Sequence, residues 1–521
     1  MKKLSVTVVC SILASSSILF YSFNAQKKTV RTADTVQIAS GTISGVRSTA
    51  SEVVAFKGIP FAAPPVGDLR WKAPQPVKPW QGVKKCDAFG PSPMQNKPVA
   101  FMVYTPEFLI PEKPISEDCL YLNVWTKANQ GAKKPVFVWI YGGGFVSGGT
   151  AVPIYDGESL ANKGIIFVSI PYRVGAFGYL VHPALTKESP NKASGNYALM
   201  DQIAALKWVK KNIAAFGGDP DNVTVAGQSA GAMSVNCLVA SPLAKGLFNR
   251  AIAESGSQLV SALRPTISLA EAEHQGVKLA ESVHAASLKE LRAMPAAELM
   301  KFAGKYFPIT DGYILPEPVP QIFAENKEND VALMTGWNAD DALIGSFKNK
   351  EDFIKQAKEQ YGAEADTFLK LYPAATDAEA KQSQIKISRD MTFAISAYKW
   401  AGLHSVKSKA PVYLYNFDHK LPATADYVKY GAFHTGEVAY VMDNLKFLNR
   451  PWQPVDNELA KMMSTYWVNF ITSGNPNGTG LPLWYRYNAK ENRTMVFDKT
   501  AQSETLPDKA ELEFMLKRLD K

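Results

Sequence analysis

The stretch that most restricts the fold is residues 223–231, which read Val-Thr-Val-Ala-Gly-Gln-Ser-Ala-Gly. Residues 223–226 are short, apolar and β-branched, which suits a buried strand. After Gly231, the residues Val235, Leu238 and Val239 suit a helix. A strand that passes straight into a helix must turn sharply, and Gly227 and Gly231 leave the room that such a turn needs. The pattern predicts that the hydroxyl of Ser229 is pushed out at the end of a sheet. It would also sit at a helix N-terminus, whose partial positive charge favours an anion forming beside it. A serine so placed is a candidate nucleophile.

The surrounding sequence fits a sheet flanked by helices. Residues 135–141 are apolar on both faces, as a central strand should be, and run directly into Gly142-Gly143-Gly144-Phe145. Residues 164–170 read as another buried strand. Residues 196–216 place Leu199, Ile203, Leu206, Val209 and Ile213 at helical spacing. Residues 35–60 alternate as antiparallel strands do, and 331–336 and 412–417 read as later strands. Residues 261–308 look like a helical insertion, 350–407 are helical again, and 460–471 form an amphipathic helix. Strands alternating with helices predict an α/β fold with a parallel-containing sheet.

With 521 residues, 46% of them hydrophobic, the chain can bury a large core. Its net charge of +9 comes from 57 basic against 48 acidic residues, and the basic ones are scattered rather than blocked. That distribution argues against nucleic acid as a partner. Met1-Lys2-Lys3 followed by an apolar run to Phe23 predicts a leader over residues 1–25 and export to the periplasm or beyond. Residues 26–521 would then form a single domain. An uncleaved membrane anchor is the alternative, since the run is near spanning length. Beyond Cys10 in the leader, Cys86, Cys119 and Cys237 remain. An exported chain permits one disulfide, with Cys86–Cys119 the natural pair, and Cys237 would be a buried free thiol on the helix after Ser229. No Cys/His cluster has metal spacing, so neither metal nor cofactor is expected. The oligomeric state is not legible.

A nucleophilic serine needs a base, an acid to orient that base, and donors for the oxyanion. In a fold of this type the order along the chain is serine, acid, histidine. His434 lies in a loop bounded by Gly431 and Gly436 that follows the late strand, a setting that can present an imidazole at the sheet's end. His182 precedes the serine, His274 and His284 fall in the helical insertion, His404 sits in a helix, and His419 lies in a charged setting. The acid should follow a strand between Ser229 and His434, and Asp340 and Asp341 both do so. Backbone amides at Gly143, Gly144 and Ala230 are the candidate oxyanion donors.

Several separate motifs now stand together: FKGIPFAAPPVGDLRW at 56–71, EDCLYLNVW at 117–125, YGGGF at 141–145 and GNYALMDQIAALKWVKKNIAAFGGDPDNVTVAGQSAGA at 195–232. On these the chain resembles the type-B carboxylesterase/lipase family, the cholinesterase-like branch of the α/β-hydrolases. The resemblance implies an α/β-hydrolase fold: a large mixed, mostly parallel central sheet flanked by helices, with helical insertions. It implies Ser229 as nucleophile, His434 as base, and Gly143, Gly144 and Ala230 as oxyanion donors. Asn338-Ala339-Asp340-Asp341-Ala342 matches the family's acid pattern with Asp341 in the acid's place, where the family often has Glu. The same resemblance makes Cys86–Cys119 the first family disulfide. The implied activity is hydrolysis of small-molecule carboxylic esters through an acyl-enzyme. A non-catalytic adhesion protein on the same scaffold and a lipase for longer acyl chains are the alternatives. Two departures bear on substrate. Gln228 stands where the family usually has Glu, and no tryptophan lies between Cys86 and Cys119, so choline esters are not expected as preferred substrates.

Overall fold

Apolar strands that carry no polar face have to be covered on both sides, and the chain does this with one large sheet. The computed structural model describes residues 34–519 apart from 103, 261–266, 303 and 424–429. The expected leader lies outside the described residues. Among the described residues, eleven strands form the main sheet. In chain order they are β1 (Val46–Arg47), β2 (Val54–Pro60), β3 (Tyr121–Thr126) and β4 (Lys134–Ile140). Next come β5 (Ile166–Ile170), β6 (Gly218–Gln228), β7 (Arg250–Glu254) and β8 (Ala332–Asn338). Then β9 (Val412–Phe417), β10 (Arg493–Phe497) and β11 (Ala501–Thr505) complete it.

In space the strands run β1-β2-β3-β5-β4-β6-β7-β8-β9-β10-β11. From β5 to β10 neighbours are parallel, while both margins are antiparallel. The expected large, mixed, mostly parallel sheet is therefore present. The chain steps from β4 to β5 on one side and then returns to β6 on the other. The order reverses at β4, so the loops after β4 and β6 leave the sheet side by side, where open α/β sheets form their binding crevice. Those two loops are Gly142–Gly144 and the Ser229 turn.

Burial explains the strand sequences. Val136 through Ile140 are each 0% exposed, as a central strand with helices on both faces requires. Helix α1 (Tyr197–Asn212) carries the predicted apolar spacing, and helix α2 (Ala230–Ala240) is buried at every residue. A helix with small and apolar residues all round is one that lies inside the molecule. The helical stretch predicted over 350–407 contains α3 (Asp377–Arg389), a π-turn at Asp390–Ala394 and α4 (Ile395–Lys407). Helix α5 (Pro454–Ser473) is longer than the predicted 460–471, because Pro454 opens it and Gly474 closes it in the left-handed conformation. The C-terminal helix α6 (Lys509–Leu519) is tied to α3 by Lys386 and Arg389, which lie 3.0 Å and 3.1 Å from the Asp508 carboxylate.

One expectation is overturned. Cys86 and Cys119 are separate buried thiols, not a disulfide. The Cys86 amide donates to the carbonyl of Ser44 and its own carbonyl accepts from Lys57, which fixes its backbone between these two residues. Cys119 faces a small cavity that it shares with Arg70, Trp71, Met94, Arg173 and Phe177. The other sulfur-bearing residue lining that cavity is Met94. Burial pushes the Cys86 thiol up to about 11 and the Cys119 thiol upward as well. Cys237 is a third buried thiol, on α2 as expected.

Candidate active site

The turn at Ser229 is built by the close approach of three backbones. A Cβ at Gly231 would lie 2.1 Å from the carbonyl oxygen of Ile140, and one at Gly227 would lie 2.5 Å from the Gly231 carbonyl carbon. Only glycine fits at either position. Ser229 itself has φ 58° and ψ −123°, a sparsely populated conformation for a residue with a side chain. Its amide donates to the Glu254 carbonyl at 2.9 Å and its carbonyl accepts from Met233 at 2.9 Å, so the strained residue is held from both sides. A Cβ at Gly142 would come within 3.0 Å of the Ser229 Cβ, which places the glycine run against the serine.

The acid and the histidine come from loops on neighbouring strands. After β8, Asp341 is 0% exposed, and its Oδ2 accepts from the Asn338 amide at 3.2 Å. Its Oδ1 takes a hydrogen bond from Nδ1 of His434. Asp340 does something different. Its Oδ2 accepts from the Ala432 amide at 2.9 Å, and its own amide donates to the Ala432 carbonyl at 3.1 Å. Gly431 has φ 58°, and a Cβ there would lie 2.1 Å from Asp340 Oδ2. Asp340 thus clips the histidine loop to the β8 loop, and Asp341 addresses the imidazole. Two adjacent aspartates that the local sequence does not separate are separated by what each touches.

Ser229, His434, Gly143 and Gly144 line one cavity of about 600 Å³, walled by Phe108, Ile110, Val152 and Tyr155 among others. Ala230 is the first residue of α2, immediately behind the serine. A second cavity of about 450 Å³ lies on the other side of His434 and shares Phe101, Tyr104 and Leu343 with the first. His404 and His419 are engaged elsewhere. The His404 Nε2 meets the Val331 carbonyl at 2.6 Å, and the His419 Nε2 meets Asp456 at 2.8 Å.

Other groups around the imidazole were not predicted. Phe393 stacks on His434 with ring centroids 4.3 Å apart and planes inclined by 16°. It sits in the π-turn between α3 and α4, a wide-turn distortion frequent at functional sites. The Nε2 of Gln228 lies 3.3 Å and 3.4 Å from the two ring nitrogens, so the residue read from sequence only as a missing charge is a neighbour of the histidine. Two buried carboxyls, Glu254 and Glu437, lie in the same region. Glu437 was visible as the third residue after His434, but nothing in the sequence marks it as buried.

The sequence model of the carboxylesterase family matches residues 32–515. The chain is 36% identical over 474 residues to fumonisin B1 esterase of Sphingopyxis macrogoltabida, covering 86% of this chain and 83% of that protein. It is 35% identical over 483 residues to para-nitrobenzyl esterase of Bacillus subtilis, covering 88% and 94%. It is 34% identical over 492 residues to carboxylesterase 1C of Rattus norvegicus, covering 87% of each. A family match across nearly the whole chain, with relatives that are esterases, meets a sheet and a serine turn of the kind expected, and the chain therefore belongs to the carboxylesterase family and is a carboxylic ester hydrolase.

Proposed function

We propose that the chain hydrolyses esters through Ser229, His434 and Asp341 in two acyl-transfer steps. The observation that carries this reading is the buried Asp341–His434 hydrogen bond in the wall of the cavity that Ser229 enters from its strained turn. Ser229 Oγ attacks the ester carbonyl carbon while its proton passes to Nε2 of His434. The amides of Gly143, Gly144 and Ala230 hold the negative oxygen that results. The tetrahedral adduct collapses, the carbon–oxygen bond to the alcohol breaks, and the alcohol leaves with the proton from His434. Water then attacks the acyl-enzyme, gives its proton to His434, and releases the carboxylic acid and Ser229. Asp341 keeps Nδ1 protonated, so that Nε2 is the basic nitrogen.

The mostly apolar walls of the 600 Å³ cavity suit an uncharged small-molecule ester. A 4-nitrobenzyl or 4-nitrophenyl ester is a fitting probe, given what the Bacillus relative is named for. Replacing Ser229 with Ala should lower kcat by on the order of 10⁴–10⁶ and abolish labelling by a fluorophosphonate, with the fold unchanged by circular dichroism. Turnover near the wild-type rate in that variant would refute the assignment. An acyl-chain-length series on the same protein separates a short-chain esterase from a lipase. The basic start and apolar run at residues 4–23 support export of a single domain behind a leader. Mass spectrometry of the N-terminus after fractionation tests it, and an intact Met1 in the cytoplasm would refute it.

A further inference from the structure

The cavity of about 450 Å³ beyond His434 has no part in the mechanism above. Phe101, Met102, Leu343 and Phe347 line it, yet they are 57%, 38%, 51% and 38% exposed. Large apolar side chains left wet together at the mouth of a site mark a surface that a ligand covers. Lys381 of α3 and Lys420, three residues after β9, stand in the same wall. The Lys381 ammonium lies 5.3 Å from the centroid of the Phe347 ring, a cation–π distance that keeps it against the cavity. Among the described residues neither lysine forms an ion pair. Asp418 feels the charge of Lys420 without pairing with it. Asp340 also lines the cavity, but its carboxylate is engaged: Oδ2 accepts from the Ala432 amide at 2.9 Å, and Oδ1 accepts from the Gln382 side chain at 3.5 Å.

The mechanism decides which half of an ester can reach this place. Ser229 and the oxyanion amides hold the acyl carbon in the first cavity. His434 then returns its proton to the alcohol oxygen, so that oxygen has to lie against Nε2. The alcohol's own chain therefore starts at the histidine, and His434 lines both cavities. Phe101, Tyr104 and Leu343 line both as well and lead from one to the other.

We propose that the second cavity receives the alcohol arm of the substrate, and that it is built for an apolar, aromatic arm ending in an anion that Lys381 and Lys420 meet. This rests on the triad reading above, because His434 as proton donor is what assigns the arm. The acyl arm stays in the first cavity, among Phe108, Ile110, Val152 and Tyr155. Both lysines are exposed, so their pull on the anion is modest and is screened by salt.

The test compares two acetate esters on the full chain: 4′-acetoxybiphenyl-4-carboxylate and its neutral isostere, the 4-carboxamide. The quantity read is the ratio of kcat/KM for the anion to that for the amide, in which a general loss of activity or of folded protein cancels. In Lys381→Gln/Lys420→Gln this ratio should fall roughly three- to tenfold below wild type, the size expected of two exposed charge contacts. Sodium chloride raised from about 20 mM to about 500 mM should shrink the wild-type ratio toward that of the variant. A ratio that neither the substitutions nor salt moves overturns the anion reading. The arm is tested by placing the carboxylate on the acyl side instead, in monophenyl adipate against its amide. That ratio should be the same in both proteins, and a fall there in place of the first overturns the assignment to the alcohol. Ile385→Trp, which narrows the second cavity, should lower kcat/KM for the biphenyl amide relative to phenyl acetate about tenfold, and an unchanged relative rate places the arm elsewhere. Ser229→Ala keeps the two readings apart. If that variant stays active the triad falls; if it is inactive while the ratios stay fixed, only the second-cavity reading falls.

Discussion

At the scale of single residues, the site divides its work finely. Asp341→Asn leaves the cavity shape intact but offers Nδ1 of His434 an ambiguous partner, and kcat should fall about 10⁴-fold while the melting temperature changes little. Asp340→Ala should do the reverse, since Asp340 holds the Ala432 backbone and not the ring. Loss of a half-buried, charge-assisted clip of this kind costs about 1–3 kcal/mol. We expect a lower melting temperature with kcat within tenfold of wild type at low temperature. Thermal melts and initial rates on the two variants check the division, and it fails if their effects are interchanged. Ser229 and His434 were legible because a glycine-framed serine and a histidine in a glycine-bounded loop follow from local backbone demands. Asp341 was singled out over Asp340 only by the family's acid pattern, because both follow the same strand and differ only in tertiary contacts. Phe393 and Glu254 escaped for a related reason: an aromatic in a helical stretch and a Glu at a strand end look like ordinary packing and an ordinary surface charge.

Among the elements, the π-turn at Asp390–Ala394 departs from regular helix, and it carries Phe393 onto the imidazole. The turn begins next to a buried ionic cluster. Arg389 pairs with Asp390 at 2.7 Å and with Asp508 at 3.1 Å, and Tyr372 donates to Asp390 at 2.8 Å. Asp508 stands at the head of α6, so the C-terminal helix braces the helix that holds the histidine's stacking partner. Removing one partner of a buried ion pair is strongly destabilising, by about 3–5 kcal/mol. Asp508→Ala should therefore lower the melting temperature, and its residual folded fraction should show a reduced kcat with little change in KM. An unchanged kcat would mean that α6 does not act through Phe393. The strands and long helices of the sheet were readable from apolar runs and spacing. The hairpin of β10 and β11 was not, because its alternation is short.

Taken whole, the molecule should respond to pH through its buried acids. Glu254 and Glu437 titrate in the folded chain near 8, above the ordinary 4.5. Between these values the folded state keeps protons that the unfolded state has lost, so stability is highest toward the acid end of that window and declines as pH rises through it. The melting temperature should drop from pH 6 to pH 9, and the drop should be smaller in Glu437→Gln. A parallel decline in both proteins would assign the pH effect to other groups.

The separate burial of Cys86 and Cys119 carries a practical corollary. The chain needs no oxidant and no disulfide-shuffling helper to reach its native state. Expressed without its first 25 residues in a reducing bacterial cytosol, it should yield enzyme of the same specific activity as material made under oxidising conditions. Dithiothreitol added to either preparation should leave the melting curve where it was.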